Sequence, residues 1–263
     1  LGRPELGGAA IAVRAAAAAQ VFVDDPSRPQ LSEEDAHHLG RVLRLRAGEE
    51  VIVSDGAGHW ARTTWTGFES GGLAPLDGTT DAGPGADGCV QFEPAPTPAL
   101  TVAFAPTKGE RPEWVVQKLT ELGIDRIVPL VSARSVVRWS GHRGLTAVAR
   151  LRRVAREAAG QCRRVWLPEI GDVLPFDALA GLGAPGEVVL AQLSGDRPTA
   201  AQRVVAVGPE GGWGGEELSS GLPTVGFGLS VLRAETAAVT AGALMVSLRT
   251  GTVAPVAPVG ESS

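Results

Sequence analysis

Short apolar runs broken by turn residues fill the first third of the chain, and helical periodicities dominate only after it. Val21 to Val23 reads as a short strand. Leu31 to Leu39 reads as a helix with Ser32 as its N-cap and Asp35 at the third helical position. Val51 to Ser54 and His59 to Thr66 flank the turn Asp55 to Gly58, the pattern of a β-hairpin. Gly71 to Gly88 is crowded with turn formers and reads as a long loop, followed by a last strand at Cys89 to Phe92. Residues 21–92 therefore form a small, β-rich front unit of the kind a barrel would make. Pro94, Pro96 and Pro98 then alternate along the chain, which neither sheet nor helix continues through, so residues 93–99 are expected to be a stiff linker.

Beyond the linker the texture changes. Leu100 to Ala105, Ile124 to Val131, Glu187 to Leu193, Arg203 to Val207 and Thr224 to Phe227 are short apolar runs suited to buried strands. Between and after them come helical patterns at Pro112 to Leu122, stopped by Gly123, at Leu145 to Ala159 and at Glu235 to Leu248. Strands alternating with helices predict an α/β domain over residues 100–250, with a mostly parallel sheet covered on both faces. Residues 1–20, rich in Gly and Ala, are expected to be a poorly ordered extension, and residues 251–263 a flexible tail.

Composition narrows the classes. The chain has 263 residues and 44% hydrophobic content, with no run approaching the ~20 apolar residues that span a bilayer. Arg14 interrupts what would be the apolar part of a secretory leader, so a cytoplasmic protein is expected. Cys89 and Cys162 stand far apart without companion histidines, which predicts neither a metal site nor a disulfide framework. The net charge of −5 argues against general nucleic-acid binding, but its distribution is uneven. From Arg134 to Arg164 nine arginines accompany one acid, Glu157. One acid cannot pair nine bases, so this stretch is expected to face phosphates. Trp60 and Trp65 are better placed in a small core than stacked on bases.

Candidate chemistry concentrates near the C-terminus. Val207 to Gly212 (Val-Gly-Pro-Glu-Gly-Gly) and Gly228 to Ala237 each follow an apolar run and lead towards a helix. Such bends lie at the carboxyl ends of strands, where open α/β sheets bind ligands. The first lacks the Lys and Ser/Thr of a phosphate-binding P-loop and is not a dinucleotide fingerprint. The second brings Arg233 and Glu235, two apart, to the edge of a helix, either as a local ion pair or as a cation for an anionic group beside a carboxylate for proton handling.

Gly-Pro-Glu-Gly-Gly paired with Val-Leu-Arg-Ala-Glu-Thr-Ala (Val231 to Ala237) resembles the SPOUT class of trefoil-knotted methyltransferases, and within it the family that methylates N3 of a uridine in small-subunit (16S) ribosomal RNA. His37 to Arg44 with Gly48 resembles that family's PUA-like RNA-binding domain. Lys108-Gly109, Gln117-Lys118, Glu121 to Gly123 and Ile127 to Pro129 resemble the start of its catalytic domain, and Glu157 to Arg164 with Leu167 to Glu169 resembles a further motif. Gly40, Gly160, Cys162 and Ser230 depart from the usual residues.

The resemblance implies a C-terminal knot domain preceded by a PUA-like barrel. It also implies S-adenosylmethionine held by Leu190, Leu193, Val207, Gly208, Pro209, Glu210, Gly211, Gly212, Gly228, Leu229, Val231 and Leu232, with Leu229, Val231 and Leu232 around the adenine. Arg233 and Glu235 would be catalytic, and His38, Arg41, Arg44, Arg134, Arg138 and Arg164 would meet RNA. A sulfonium methyl donor is already activated, so no metal is expected. The implied partners are 16S rRNA or the small ribosomal subunit and a second copy of the chain joined through the knot region, with no membrane. The competing readings are another SPOUT activity, on a ribose 2′-oxygen or on transfer RNA, and a non-catalytic ribosome-assembly factor that binds RNA.

Overall fold

The computed structural model describes residues 6–68, 72–76 and 90–254. Two compact units emerge, one of residues 1–95 with 156–167, the other of residues 96–155 with 168–263. The division does not follow the proline-rich linker alone, because a segment far along the chain returns to the first unit.

In the first unit, residues 6–16 of the extension expected to be poorly ordered form α1 (Leu6–Ala16), and residues 1–5 lie outside the described residues. An alanine-rich run is a strong helix former, and here it has something to pack on. Ala10 and Val13 lie against a cluster of Ala17, Ile52, Trp60 and Val165. Arg14, buried, meets Glu93 at 2.7 Å and sits 5.1 Å over the Trp60 ring. β1 (Ala19–Phe22) runs parallel to β2 (Glu50–Ser54), which makes the expected hairpin with β3 (His59–Gly67), Val53 opposite Ala61. β4 (Gly72–Pro75) and β5 (Gln91–Phe92) both pair with β3, giving a five-stranded sheet. β4 falls in the stretch read as loop, since its backbone pairs with β3 without a strong apolar alternation to announce it. The rest of that loop, residues 77–89 with Cys89, lies outside the described residues. Among the described residues no pairing joins β1 to β4.

α2 (Glu33–His37) starts where its cap predicts, the Asp35 amide donating to Ser32 Oγ at 3.0 Å. A π-helical turn, His38–Val42, extends it. At Gly40 an added Cβ would fall 2.3 Å from the ring of the exposed Phe68, which would have to shift to admit a larger residue. The returning segment is stitched in by hydrogen bonds. Arg156 donates to Phe22 O at 2.7 Å, Gln20 to Arg164 O at 2.7 Å, and Trp166 Nε1 to Glu93 O at 2.8 Å. At Gly160 the contact is looser, with the Gln20 carbonyl 3.1 Å from where a Cβ would stand.

The second unit is a seven-stranded sheet. Its strands are β6 (Thr101–Phe104), β7 (Arg126–Val131), β8 (Glu169–Ile170), β9 (Leu174–Pro175), β10 (Val188–Asp196), β11 (Val204–Val207) and β12 (Thr224–Val225). Their order is β12-β10-β11-β6-β7-β8, with β9 also on β7, and every pairing is parallel. Alternate residues face opposite ways. Val102, Phe104, Val205 and Val207 share one core with α3 (Arg111–Leu122), α4 (Gly141–Gln161) and α6 (Ala234–Arg249). Ala103, Val204, Ala206 and Leu190 face a second core, closed by Leu179 of the 3₁₀ turn Phe176–Leu182 and by Trp213. Arg249 at the end of α6 pairs with Asp125 and donates to Gly123 O at 2.9 Å, fixing the last helix against the sheet.

Candidate active site

The carboxyl ends of β10 and β11 and the loop after β12 border an open cavity of about 180 Å³. The strands β10 and β12 approach closely at Gly195. A Cβ there would lie 2.5 Å from the backbone of Val225, so only glycine lets β10 run this near β12. Trp213 forms part of the wall, donating its indole N–H to Ala191 O at 2.9 Å and lying against the bare Cα of Gly208.

The glycine-rich loop between β11 and the short helix α5 (Gly215–Leu218) is held from two sides. Gly212 adopts φ 70°, a left-handed conformation that favours glycine. Glu217, buried, accepts the amide of Gly214 at 2.6 Å and that of Ala133, after β7, at 2.8 Å. Arg134 Nη1 donates to Gly211 O at 3.0 Å. Charge-assisted bonds of this kind are the strong ones, and together they fix the loop before any ligand arrives.

Arg233 is the N-cap of α6, extended in backbone and exposed; it makes no ion pair among the described residues. Glu235, in the first turn, does not pair with it. Its Oε1 lies 3.6 Å from Nε of Arg111, whose Nη1 is 3.6 Å from Oε1 of Glu210. Glu235 Oε2 is covered and has no hydrogen-bond partner among the described residues.

Of the residues expected at the cofactor, Leu193, Val207, Gly208, Pro209, Glu210, Gly212, Gly228, Val231 and Leu232 line the cavity. Leu190, Gly211 and Leu229 do not. Leu190 is buried within the sheet, Gly211 turns its carbonyl to Arg134, and Leu229 is fully exposed. Ala191, Gln192 and Ser230, inside the loops expected at the cofactor (190–193 and 228–232), complete the wall together with Trp213, Phe227, Ala234 and Ala237, which the sequence did not single out. Most of these flank residues already singled out. Arg111 gave no signal, because its partners Glu210 and Glu235 lie far downstream in the chain.

The expected RNA residues fall in both units. His38, Arg41 and Arg44 lie in the first, on and just beyond the π-helical turn, with Arg41 5.7 Å over the exposed Phe68 ring. Arg164, half-buried, is also in the first. Arg134 and Arg138 are exposed in the second, and Arg138 donates to Ala133 O at 3.2 Å. Several arginines of the arginine-rich stretch have acidic partners. Arg150 pairs with Glu113, Arg152 with Asp172 and Arg156 with Asp35, acids that lie outside the stretch. Arg163 donates to the carbonyls of Gly160, Ala17 and Ala18, and burial pushes its guanidinium below the usual arginine range. Arg143 and Arg153 are exposed without an ion pair among the described residues.

Among the described residues no group of three or more His, Cys, Asp or Glu is placed to hold a metal ion, and no helix is long and apolar enough to cross a membrane.

Comparison with known proteins places this geometry. The family described as "RNA methyltransferase domain" matches residues 93–246, and that described as "RNA methyltransferase PUA domain" matches residues 31–64. Ribosomal RNA small subunit methyltransferase E of Synechocystis sp. is 31% identical over 223 residues, covering 79% of this chain and 69% of the relative. The protein of the same name from Mycobacterium bovis is 31% identical over 226 residues, covering 79% and 82%. Among solved structures, a probable rRNA-methyltransferase from Porphyromonas gingivalis superposes with TM-score 0.71 at 25% identity, covering 89% of this chain and all of that one. The small subunit methyltransferase E of Neisseria gonorrhoeae, bound to S-adenosyl methionine, has the same fold, with TM-score 0.69 at 24% identity, covering 88% and 97%.

Proposed function

The chain belongs to the RNA methyltransferase family of the ribosomal RNA small subunit methyltransferase E type, and from that premise we propose that it methylates N3 of a uridine in small-subunit (16S) ribosomal RNA with S-adenosylmethionine. The observation that carries the reading is the cavity at the ends of β10 and β11, with Arg233 and Glu235 on the turn that starts α6 beside it.

The residues suit the cofactor. Leu193, Phe227, Val231 and Leu232 offer apolar surface to a flat ring, and the backbone at Gly208 and Gly228 is bare for polar edges. The Glu210 carboxylate at the wall suits a cationic ligand. When bound, S-adenosylmethionine supplies a methyl group on a sulfonium, activated for transfer. The protein's own work is on the uracil, whose N3 is a poor nucleophile until its proton leaves. The Arg233 guanidinium, exposed and unpaired among the described residues, stabilises the negative charge that develops on the uracil oxygens. Glu235 takes the N3 proton. With Oε2 covered, the oxygen left for that role is Oε1, the one facing Arg111. Arg41 and Arg44 in the first unit and Arg134 and Arg138 in the second supply phosphate contacts.

The same reading takes the protein as a knotted homodimer in the cytoplasm. Sedimentation at micromolar concentration is expected to give a dimer, and a monomer contradicts that part. Digestion of methylated RNA to nucleosides tests the chemistry. 3-Methyluridine supports the reading, and a 2′-O-methylated nucleoside replaces it with the ribose-directed one.

A further inference from the structure

Arg111 stands between two carboxylates that come from different parts of the site. Glu210 belongs to the glycine-rich loop, Glu235 to the first turn of α6, and Arg111 opens α3. Both contacts are 3.6 Å, longer than a hydrogen bond, so the guanidinium holds the carboxylates electrostatically without engaging a lone pair of either in a directed bond. The two carboxylates differ. The Glu210 side chain is 45% exposed, whereas that of Glu235 is 13% exposed with Oε2 fully covered. A carboxylate this enclosed needs a nearby cation to offset its burial, and among the described residues its ion-pair partner is Arg111.

We infer that Arg111 is a positioning residue for methyl transfer: it holds Glu235 so that Oε1 faces the reacting base, and Glu210 keeps Arg111 in place whether or not Glu235 carries a proton. This rests on the proposed role of Glu235 as proton acceptor. When Oε1 takes the proton, the Glu235 carboxylate becomes neutral and its pull on Arg111 falls. A guanidinium tied only to Glu235 would then be free to swing into solvent. The second carboxylate removes that freedom, so the acceptor returns to the same geometry once the proton passes on to water.

The test combines single-turnover methyl transfer with two measurements that need no turnover. In R111A the transfer rate is expected to fall about 10–100-fold, while the dissociation constant for S-adenosylmethionine, measured by calorimetry, stays within about threefold. R111K, which keeps the cation, should recover most of the rate. In an E235Q background, itself slow, R111A should cost little more, because both changes remove one function. Carboxyl carbon NMR of the cofactor-free protein, with the Glu235 signal assigned by its loss in E235Q, should show that signal moved in R111A and near its original place in R111K. Full additivity of R111A with E235Q, or an unmoved Glu235 signal, overturns the role of Arg111 while leaving the proposed function intact. An E235Q protein that transfers methyl groups at the wild-type rate overturns Glu235 as acceptor and Arg111 with it.

Discussion

The Glu217 carboxylate takes the amide of Ala133, 84 residues earlier in the chain, at 2.8 Å, and with its other oxygen the amide of Gly214 at 2.6 Å. One buried side chain thus ties the segment after β7 to the loop that borders the cofactor cavity. Hydrogen bonds to a charged group contribute about 1.5–3 kcal/mol each. E217A should therefore lower unfolding stability by about 3 kcal/mol or more, seen as an earlier midpoint in chemical denaturation, with weaker S-adenosylmethionine binding. E217Q must turn an NH₂ towards one of two N–H donors and should fall between the two proteins.

Arg233 caps α6 without a side-chain capping bond, so its replacement leaves the helix otherwise intact. R233A is expected to lower the transfer rate about 100–1,000-fold, the usual cost of losing one donor to a developing oxyanion, while calorimetric cofactor affinity stays nearly unchanged. Equal losses in both would make Arg233 a cofactor or structural residue.

How much of this was legible beforehand depends on how local the signal was. The hairpin of β2 and β3, the Ser32 cap and the Gly123 stop are written within a few residues, and the structure has each of them. The cavity loops were also found, because Gly-Pro-Glu-Gly-Gly and the turn before α6 are compact motifs. What escaped was long-range. Helix α1 looked like a loose tail because its packing partners, Trp60 and Val165, are remote. The arginine stretch looked unpaired because Glu113, Asp35 and Asp172 lie outside it. An ion pair between Arg233 and Glu235 was one of two readings, suggested by their being neighbours in sequence, whereas Glu235 answers to Arg111.

The arginines should separate by experiment. R143A and R153A remove exposed charges and are expected to leave stability unchanged; if RNA meets them, each should weaken binding and reduce the salt slope by about one. R163A strips three backbone carbonyls of their donor and should cost about 1–3 kcal/mol of stability. Denaturation curves and RNA titrations at several salt concentrations check both.

Gly195 offers a sharper test of how the cavity is built. In G195A the new methyl group meets the Val225 backbone at 2.5 Å, and backbone cannot rotate away as a side chain would. An overpacking loss of about 1–3 kcal/mol is expected, together with a weakened cofactor site as β10 and β12 part. A G195A protein of wild-type stability and affinity would show that the strands can separate freely.

The most direct measurement is methyl transfer from labelled S-adenosylmethionine to small ribosomal subunits lacking the modification, followed by reverse transcription. A methyl group at N3 blocks the pairing edge of the base. The account predicts incorporated label together with a single polymerase stop next to one uridine, both lost in R233A. Label incorporated without any stop would contradict it and place the methyl group on the ribose or at another position that does not pair.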